Sequence, residues 1–98
     1  MKNIISQLDK AFDNRIRLGA MSILMVNPKA SFNELKEMLE VTDGNLATHL
    51  KLLETVGYLQ VNKGFLGRKP YTTYEITPPG RSAFEIHLKA LEAIINQQ

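Results

Sequence analysis

The sequence predicts a mainly α-helical fold carrying one small β-hairpin, an α+β arrangement. Three observations predict it. Apolar residues recur at helical spacing over most of the 98 residues. The pattern turns to β-rich alternation only in two short stretches, 58–63 and 71–77. Proline and glycine punctuate the joints, at Asn27-Pro28, Gly57 and Pro78-Pro79-Gly80.

Each element follows in order. Ile4, Ile5, Leu8 and Phe12 predict a short amphipathic helix over 3–12, and Asp13-Asn14 offers a break and a cap. Ile16, Leu18, Met21, Ile23, Leu24 and Met25 predict a core helix over 15–26, ended by Asn27-Pro28 because proline disfavours helical geometry in the residue before it. Ser31 with Glu34 has the spacing of a capping box, opening a helix whose buried stripe is Phe32, Leu35, Met38 and Leu39. After the short link Val41-Thr42-Asp43-Gly44, Thr42 caps a helix over 43–56 with Leu46, Leu50, Leu53 and Val56 inward, closed by Gly57. Two strands follow, joined by the loop 64–70, longer than a two-residue turn and basic at its tip. Pro78-Pro79-Gly80 then starts a helix over 79–96 with Phe84, Leu88, Leu91 and Ile95 along one stripe. No repeat or second domain is visible, so 1–98 reads as one domain.

Composition narrows the function. No cysteine is present, which excludes disulfides, thiolate metal sites and cysteine nucleophiles. The N-terminus lacks the apolar stretch of a signal peptide, and no window approaches the ~20 apolar residues of a membrane span. The expectation is a cytoplasmic protein without a membrane partner. The net charge of +2 is unevenly spread. No acid lies between Glu54 and Glu75, whereas Lys63, Arg68 and Lys69 do, and Glu34, Glu37 and Glu40 make the preceding helix acidic.

Two helices joined by a three- to four-residue link over 32–56 have the spacing of a helix-turn-helix, whose second helix enters the DNA major groove. With Leu46 central to the buried face, Gly44, Thr48, Lys51 and Thr55 point outward, flanked by Asn45. Asparagine pairs with two atoms of adenine, and threonine bonds bases while its methyl touches thymine. Thr42 offers a hydroxyl to a phosphate at the helix start, and Lys51 a neutralising charge. Asp43 is the exception, a carboxylate that phosphate repels. On this face alone, a solvated helix surface would look the same. Lys63, Arg68 and Lys69 on the hairpin lie where they would touch the backbone or minor groove, although an ordinary basic hairpin tip has the same composition. Phe65 and Leu66 either pack beneath the hairpin or meet the sugar edge.

The run from Thr42-Asp43-Gly44-Asn45-Leu46-Ala47-Thr48-His49-Leu50-Lys51 to Glu54, then Gly57-Tyr58-Leu59 and 63–70, resembles the winged-helix transcriptional regulators of the MarR/ArsR type. It is most similar to the short stand-alone winged-helix DNA-binding domains. Asn14-Arg15-Ile16-Arg17-Leu18 and 73–81 extend the resemblance over nearly the whole chain. It implies a dimeric, sequence-specific binder of double-stranded DNA, commonly a repressor, and His49 falls where ArsR-type relatives often carry histidine.

The two histidines, His49 and His87, are far apart and make a poor ligand set, so no metal and no cofactor is expected. A small-molecule effector, unidentified, would need a pocket walled by Met21, Met25 and Met38, which read equally as core. The stripes Ile4, Ile5, Leu8 and Leu88, Leu91, Ile95 exceed what a domain this small can cover, predicting that terminal helices 3–12 and 79–96 form a homodimer on an inverted-repeat operator. The alternative is that both stripes fold back on their own domain. The sequence holds no paired carboxylates, Ser-His-Asp set or phosphate loop, so an enzyme is not expected. The competing function is a winged-helix adaptor that binds protein and not DNA.

Overall fold

The computed structural model describes residues 4–96. Two single turns of 3-10 helix, Ile4–Gln7 and Lys10–Phe12, precede helix α1 (Arg15–Val26), the two-residue strand β1 (Ala30–Ser31), α2 (Phe32–Leu39), α3 (Asp43–Thr55), strands β2 (Leu59–Leu66) and β3 (Lys69–Ile76), and α4 (Pro78–Ile95). The strands form an antiparallel sheet in the order β1-β3-β2.

The helix boundaries follow from local chemistry. Asn14 caps α1, its side-chain oxygen accepting the Ile16 and Arg17 amides at 2.9 and 3.0 Å. The Ser31 hydroxyl accepts the Glu34 amide at 3.0 Å while the Glu34 carboxylate accepts the Ser31 amide at 2.9 Å, a complete capping box. That amide, then the hydroxyl, holds the Glu34 carboxyl below its ordinary range. At the end of α3, Gly57 has φ +86°. Its amide donates to the Glu54 carbonyl and that of Tyr58 to the Leu53 carbonyl, both at 2.9 Å. These two bonds make a Schellman closure, which the left-handed glycine permits.

The core gathers these helices over the sheet. Met21, Leu24, Leu35, Leu46, Leu50 and Leu53 are fully buried, joined by Phe12, Leu59, Tyr74 and Phe84. Each such side chain gains about 1.5–3 kcal/mol on leaving water, and α3 packs on α1 and β2. Register pairs Leu59 with Ile76 and Val61 with Tyr74, while Ala30 and Ser31 pair with Tyr74 and Thr73. The base of the hairpin is thus fastened to the core, and its distal half extends outward.

Several expectations need correction. Residues 4–12 are not one helix but two 3-10 turns, and residue 3 lies outside the described residues. Asp9 explains the break. Its carboxylate accepts the Ala11 amide at 2.9 Å and the Tyr58 hydroxyl at 2.5 Å, while its own amide donates to His87 Nδ1 at 3.0 Å. His87 thereby takes the Asp9 amide and the Asp9 side chain takes the Ala11 amide, two donors a continuous helix would need. Strand β1 was not expected at all. The hairpin loop is a two-residue turn, Gly67-Arg68, not the seven residues 64–70. Gly67 has φ +66° and Arg68 has no positive φ, the pattern of a type II′ turn. On α4 the buried residues are Gly80, Phe84, His87 and Ala90, so the expected stripe shares only Phe84 with the core. Met38 and Val56, expected inward, are exposed.

Candidate nucleic-acid interface

Helix α3 buries Leu46, Leu50 and Leu53 and turns Gly44, Asn45, Thr48, Lys51 and Thr55 to solvent, as their spacing predicts. The only large apolar side chain on the outward side is Leu52, 38% exposed. The donors are partly committed. Thr48 donates its hydroxyl to the Gly44 carbonyl at 2.9 Å and Thr55 to the Lys51 carbonyl at 2.8 Å. In this conformation Thr48 faces outward as an acceptor and a methyl, a match for the adenine or cytosine amino group and the thymine methyl. Thr42 accepts the Asn45 amide at 3.3 Å, which leaves its hydroxyl hydrogen available to a phosphate oxygen.

The charges around α3 resolve the difficulty with Asp43. Its carboxylate meets Lys36 Nζ at 2.8 Å. Asp43 therefore stabilises the helix start while its charge is offset by α2. Lys51 lies 3.4 Å from Glu54, an exposed pair of little worth that leaves its charge able to change partner.

His49 is half-buried, and its Nδ1 sits 2.8 Å from Arg17 Nη1 on α1. Arg17 is further fixed by donating Nε to the Ala11 carbonyl at 2.6 Å. Sequence reasoning missed both Arg17 and Lys36 as neighbours of α3. Arg17 and His49 are 32 residues apart and no local pattern links them. His87, by contrast, is buried on α4 among Phe12 and Phe84, with ring centroids 5.1 and 6.4 Å away. It belongs to the core. No group of three or more metal-ligating side chains occurs among the described residues, and no helix among them is long and apolar enough to cross a membrane.

The hairpin supplies the second surface. Lys63 lies within β2, Arg68 in the turn and Lys69 at the start of β3, all exposed. Phe65 and Leu66 do not pack beneath the hairpin and are 75% and 67% exposed. At its base, Thr77 donates its hydroxyl to the Gly57 carbonyl at 2.7 Å and its amide to the Tyr58 carbonyl at 3.0 Å. It also accepts the Gly80 amide at 3.0 Å, so one residue joins the end of α3, the hairpin and α4.

The other expected surface is apolar. Ile5, Leu88, Leu91 and Ile95 are exposed, together with Ile86 and Ile94, while Ile4 and Leu8 are half-buried. The 3-10 turn at Ile4–Gln7 packs against α4. The three methionines proposed as effector walls lie in different settings. Met21 is core, Met38 is exposed, and Met25 sits against the Arg81 guanidinium, Sδ to Nη1 3.7 Å.

Residues 16–95 match the family model of a winged helix DNA-binding domain. An uncharacterized protein of Methanocaldococcus jannaschii is 37% identical over 79 residues, which is 81% of this chain and 86% of that protein. The structure of a transcriptional regulator homologue from Pyrococcus horikoshii matches with a TM-score of 0.85 and 33% identity, over 95% of this chain and 90% of that one. A MarR-family regulator from Enterococcus faecalis matches with a TM-score of 0.71 over 88% of this chain and 74% of that one. Its identity is 21%, so that likeness is one of fold.

Proposed function

Because the chain belongs to the winged helix DNA-binding domain family, we propose that it regulates transcription by binding double-stranded DNA as a homodimer, acting as a repressor. Helix α3 enters the major groove, and the β2–β3 hairpin lies on the backbone or minor groove beside it. The observation that carries this reading is the outward face of α3. It presents Gly44, Thr48 and Lys51 along one stripe, with Asn45 at its flank and Thr42 at the N-cap, and its one carboxylate near the helix start is already paired with Lys36. A groove about 12 Å wide admits one helix with such small polar side chains.

Two features support the dimer. The chain is elongated, 56 × 25 × 21 Å, with a radius of gyration of 14.8 Å, against about 12.6 Å for a compact domain of this length. The exposed apolar residues Leu88, Leu91 and Ile95 of α4, with Ile94 beside them, would be covered by a two-fold mate. Two α3 helices would then meet half-sites about 34 Å apart on an inverted repeat.

The test is a titration of purified protein into a duplex of its own promoter region and into a scrambled duplex, at two salt concentrations. Tighter binding to the promoter duplex that weakens steeply with salt is the expected result, since phosphate contacts release counterions. Equal, weak, salt-insensitive binding to both would overturn the reading in favour of the protein adaptor.

A further inference from the structure

The proposed DNA contacts make no use of His87, a buried imidazole on α4 that is 4% exposed. Its Nδ1 receives the Asp9 amide at 3.0 Å. An amide only donates, so this nitrogen carries a lone pair and the ring proton sits on Nε2. Asp9 belongs to the N-terminal segment, whose first turn, Ile4–Gln7, packs on α4. The same segment also reaches toward α3. The Asp9 carboxylate accepts the Ala11 amide at 2.9 Å, and the Ala11 carbonyl accepts Arg17 Nε at 2.6 Å. Arg17 Nη1 in turn donates to His49 Nδ1 at 2.8 Å. One hydrogen-bonded path thus runs from His87 on α4, through Asp9 and Ala11, to His49 on the helix of the proposed DNA face.

A charged imidazole carries N–H groups at both nitrogens. Its Nδ1–H would face the Asp9 N–H, donor against donor, with no acceptor between them. The charged ring and the docked segment therefore exclude each other. We propose that His87 and the Asp9 amide form a proton-operated clasp. When the ring is neutral the segment is docked and holds Arg17 and His49 in place. On acidification Nδ1 takes a proton, the Asp9 amide lets go, and residues 4–11 part from α4 while buried Phe12 stays in the core. The undocked ring binds one proton more than the docked ring, so docking is stable at high pH and weakens as pH falls. The groups around the clasp do not rescue it. The Asp9 carboxylate is engaged by the Tyr58 hydroxyl at 2.5 Å and by the Ala11 amide. Were it to turn to the charged ring, it would abandon both, and the segment would lose its shape by that route. Lys10 in the segment and Glu85 and Lys89 on α4 are exposed, and Ile4–Gln7 has no titratable side chain. The inference rests on the DNA-binding reading and gives it a proton as effector, a ligand that only the undocked state can take at Nδ1. Its sign is distinctive, because a chain that merely gains positive charge in acid binds phosphates more tightly.

The experiment compares wild type with His87→Asn and His87→Phe at about pH 8 and about pH 5, between which histidine changes its charge. Asparagine places an acceptor where Nδ1 stands but does not titrate, and phenylalanine keeps a ring but offers no acceptor. NMR reads exchange of the Asp9 amide and the state of the His87 ring nitrogens, and titration with the promoter-region duplex reads DNA affinity. In wild type the Asp9 amide should be protected at the higher pH and lose protection as His87 gains its proton, with affinity falling about tenfold. His87→Asn should keep the amide protected and lack that fall, whereas His87→Phe should bind weakly at both values. His49 titrates in all three proteins, so the difference between wild type and His87→Asn isolates His87. If the Asp9 amide stays protected while His87 is charged, or if wild type and His87→Asn respond alike to pH, the clasp falls and the DNA reading stands. If wild type shows no salt-dependent binding at the higher pH, the DNA reading falls, and the proposed control of binding falls with it.

Discussion

Arg17 Nη1 lies 2.8 Å from Nδ1 of His49, tying helix α1 to the exposed helix of the helix-turn-helix. A guanidinium only donates, so Nδ1 accepts and the imidazole carries its proton on Nε2. The contact sets both the tautomer and the angle of the ring. In the proposed complex His49 then offers an Nε2–H donor to a phosphate, positioned by Arg17.

Removing either partner is expected to weaken DNA binding, and removing both should cost less than the sum. A double-mutant cycle with Arg17→Leu and His49→Ala reads this directly, with a coupling of about 0.5–3 kcal/mol for residues in contact. Additive losses would show that Arg17 does not act through His49.

Gly44 gives a prediction in which stability and function separate. A Cβ at this position would meet nothing within 4 Å, and helical alanine is favoured over glycine by about 1 kcal/mol. Gly44→Ala should therefore raise the melting temperature by several degrees, yet weaken binding if DNA approaches the bare backbone. Thermal unfolding and a DNA titration on the same preparation check both. Gly80→Ala is the contrast, because its Cβ would overlap the Tyr58 carbonyl. It should lower stability by about 1–3 kcal/mol.

Tyr58 predicts an alkaline transition. Its hydroxyl donates to the Asp9 carboxylate, and that bond, then burial, then the Asp9 charge push its pKa up to about 12. The folded value lies above the ordinary value of 10.0. The stabilisation is therefore complete below about pH 10 and is lost as pH rises through about 12. Tyr58→Phe keeps the ring that stacks on Phe12 at 5.5 Å but should cost about 1–3 kcal/mol at neutral pH. It should also flatten the loss of stability between pH 10 and 12 relative to wild type. Denaturant unfolding of both proteins across that range is the check.

The two proposed contact surfaces should respond differently. Asn45→Ala or Thr48→Ala is expected to change the preferred sequence, at about 1–3 kcal/mol for each lost base contact. Arg68→Ala with Lys69→Ala should weaken binding to all sequences and reduce the salt slope by about one for each lost phosphate contact. Selection from a randomised duplex pool, and titrations over a salt series, distinguish them.

Much of the architecture was legible because it rests on neighbours in sequence. The caps Asn14, Ser31 with Glu34, and Thr42 act within three residues, and the leucines of α3 announce their face by period. The winged-helix resemblance over 42–80 agrees with the family match across 16–95. The polar face of α3 was equally readable, since knowing which residues are buried leaves the rest outside.

Tertiary structure alone decided what depends on distant partners. A helix over 3–12 was the local preference, but His87 and Tyr58 take hold of Asp9 and break it into two turns. Strand β1 is two residues long and exists only because β3 lies beside it. On α4, apolar spacing nominated Leu88, Leu91 and Ile95 alongside Phe84, whereas the core took His87 and Ala90 with Phe84 and left those three exposed. A polar ring enters that core because the Asp9 amide satisfies its nitrogen. Local sequence thus determined the helices, their ends and the helix-turn-helix. The fold decided which charges are neutralised, which histidine on the outward helix is held by an arginine, and which apolar side chains remain exposed, because each of these depends on contacts between residues that sequence does not bring together.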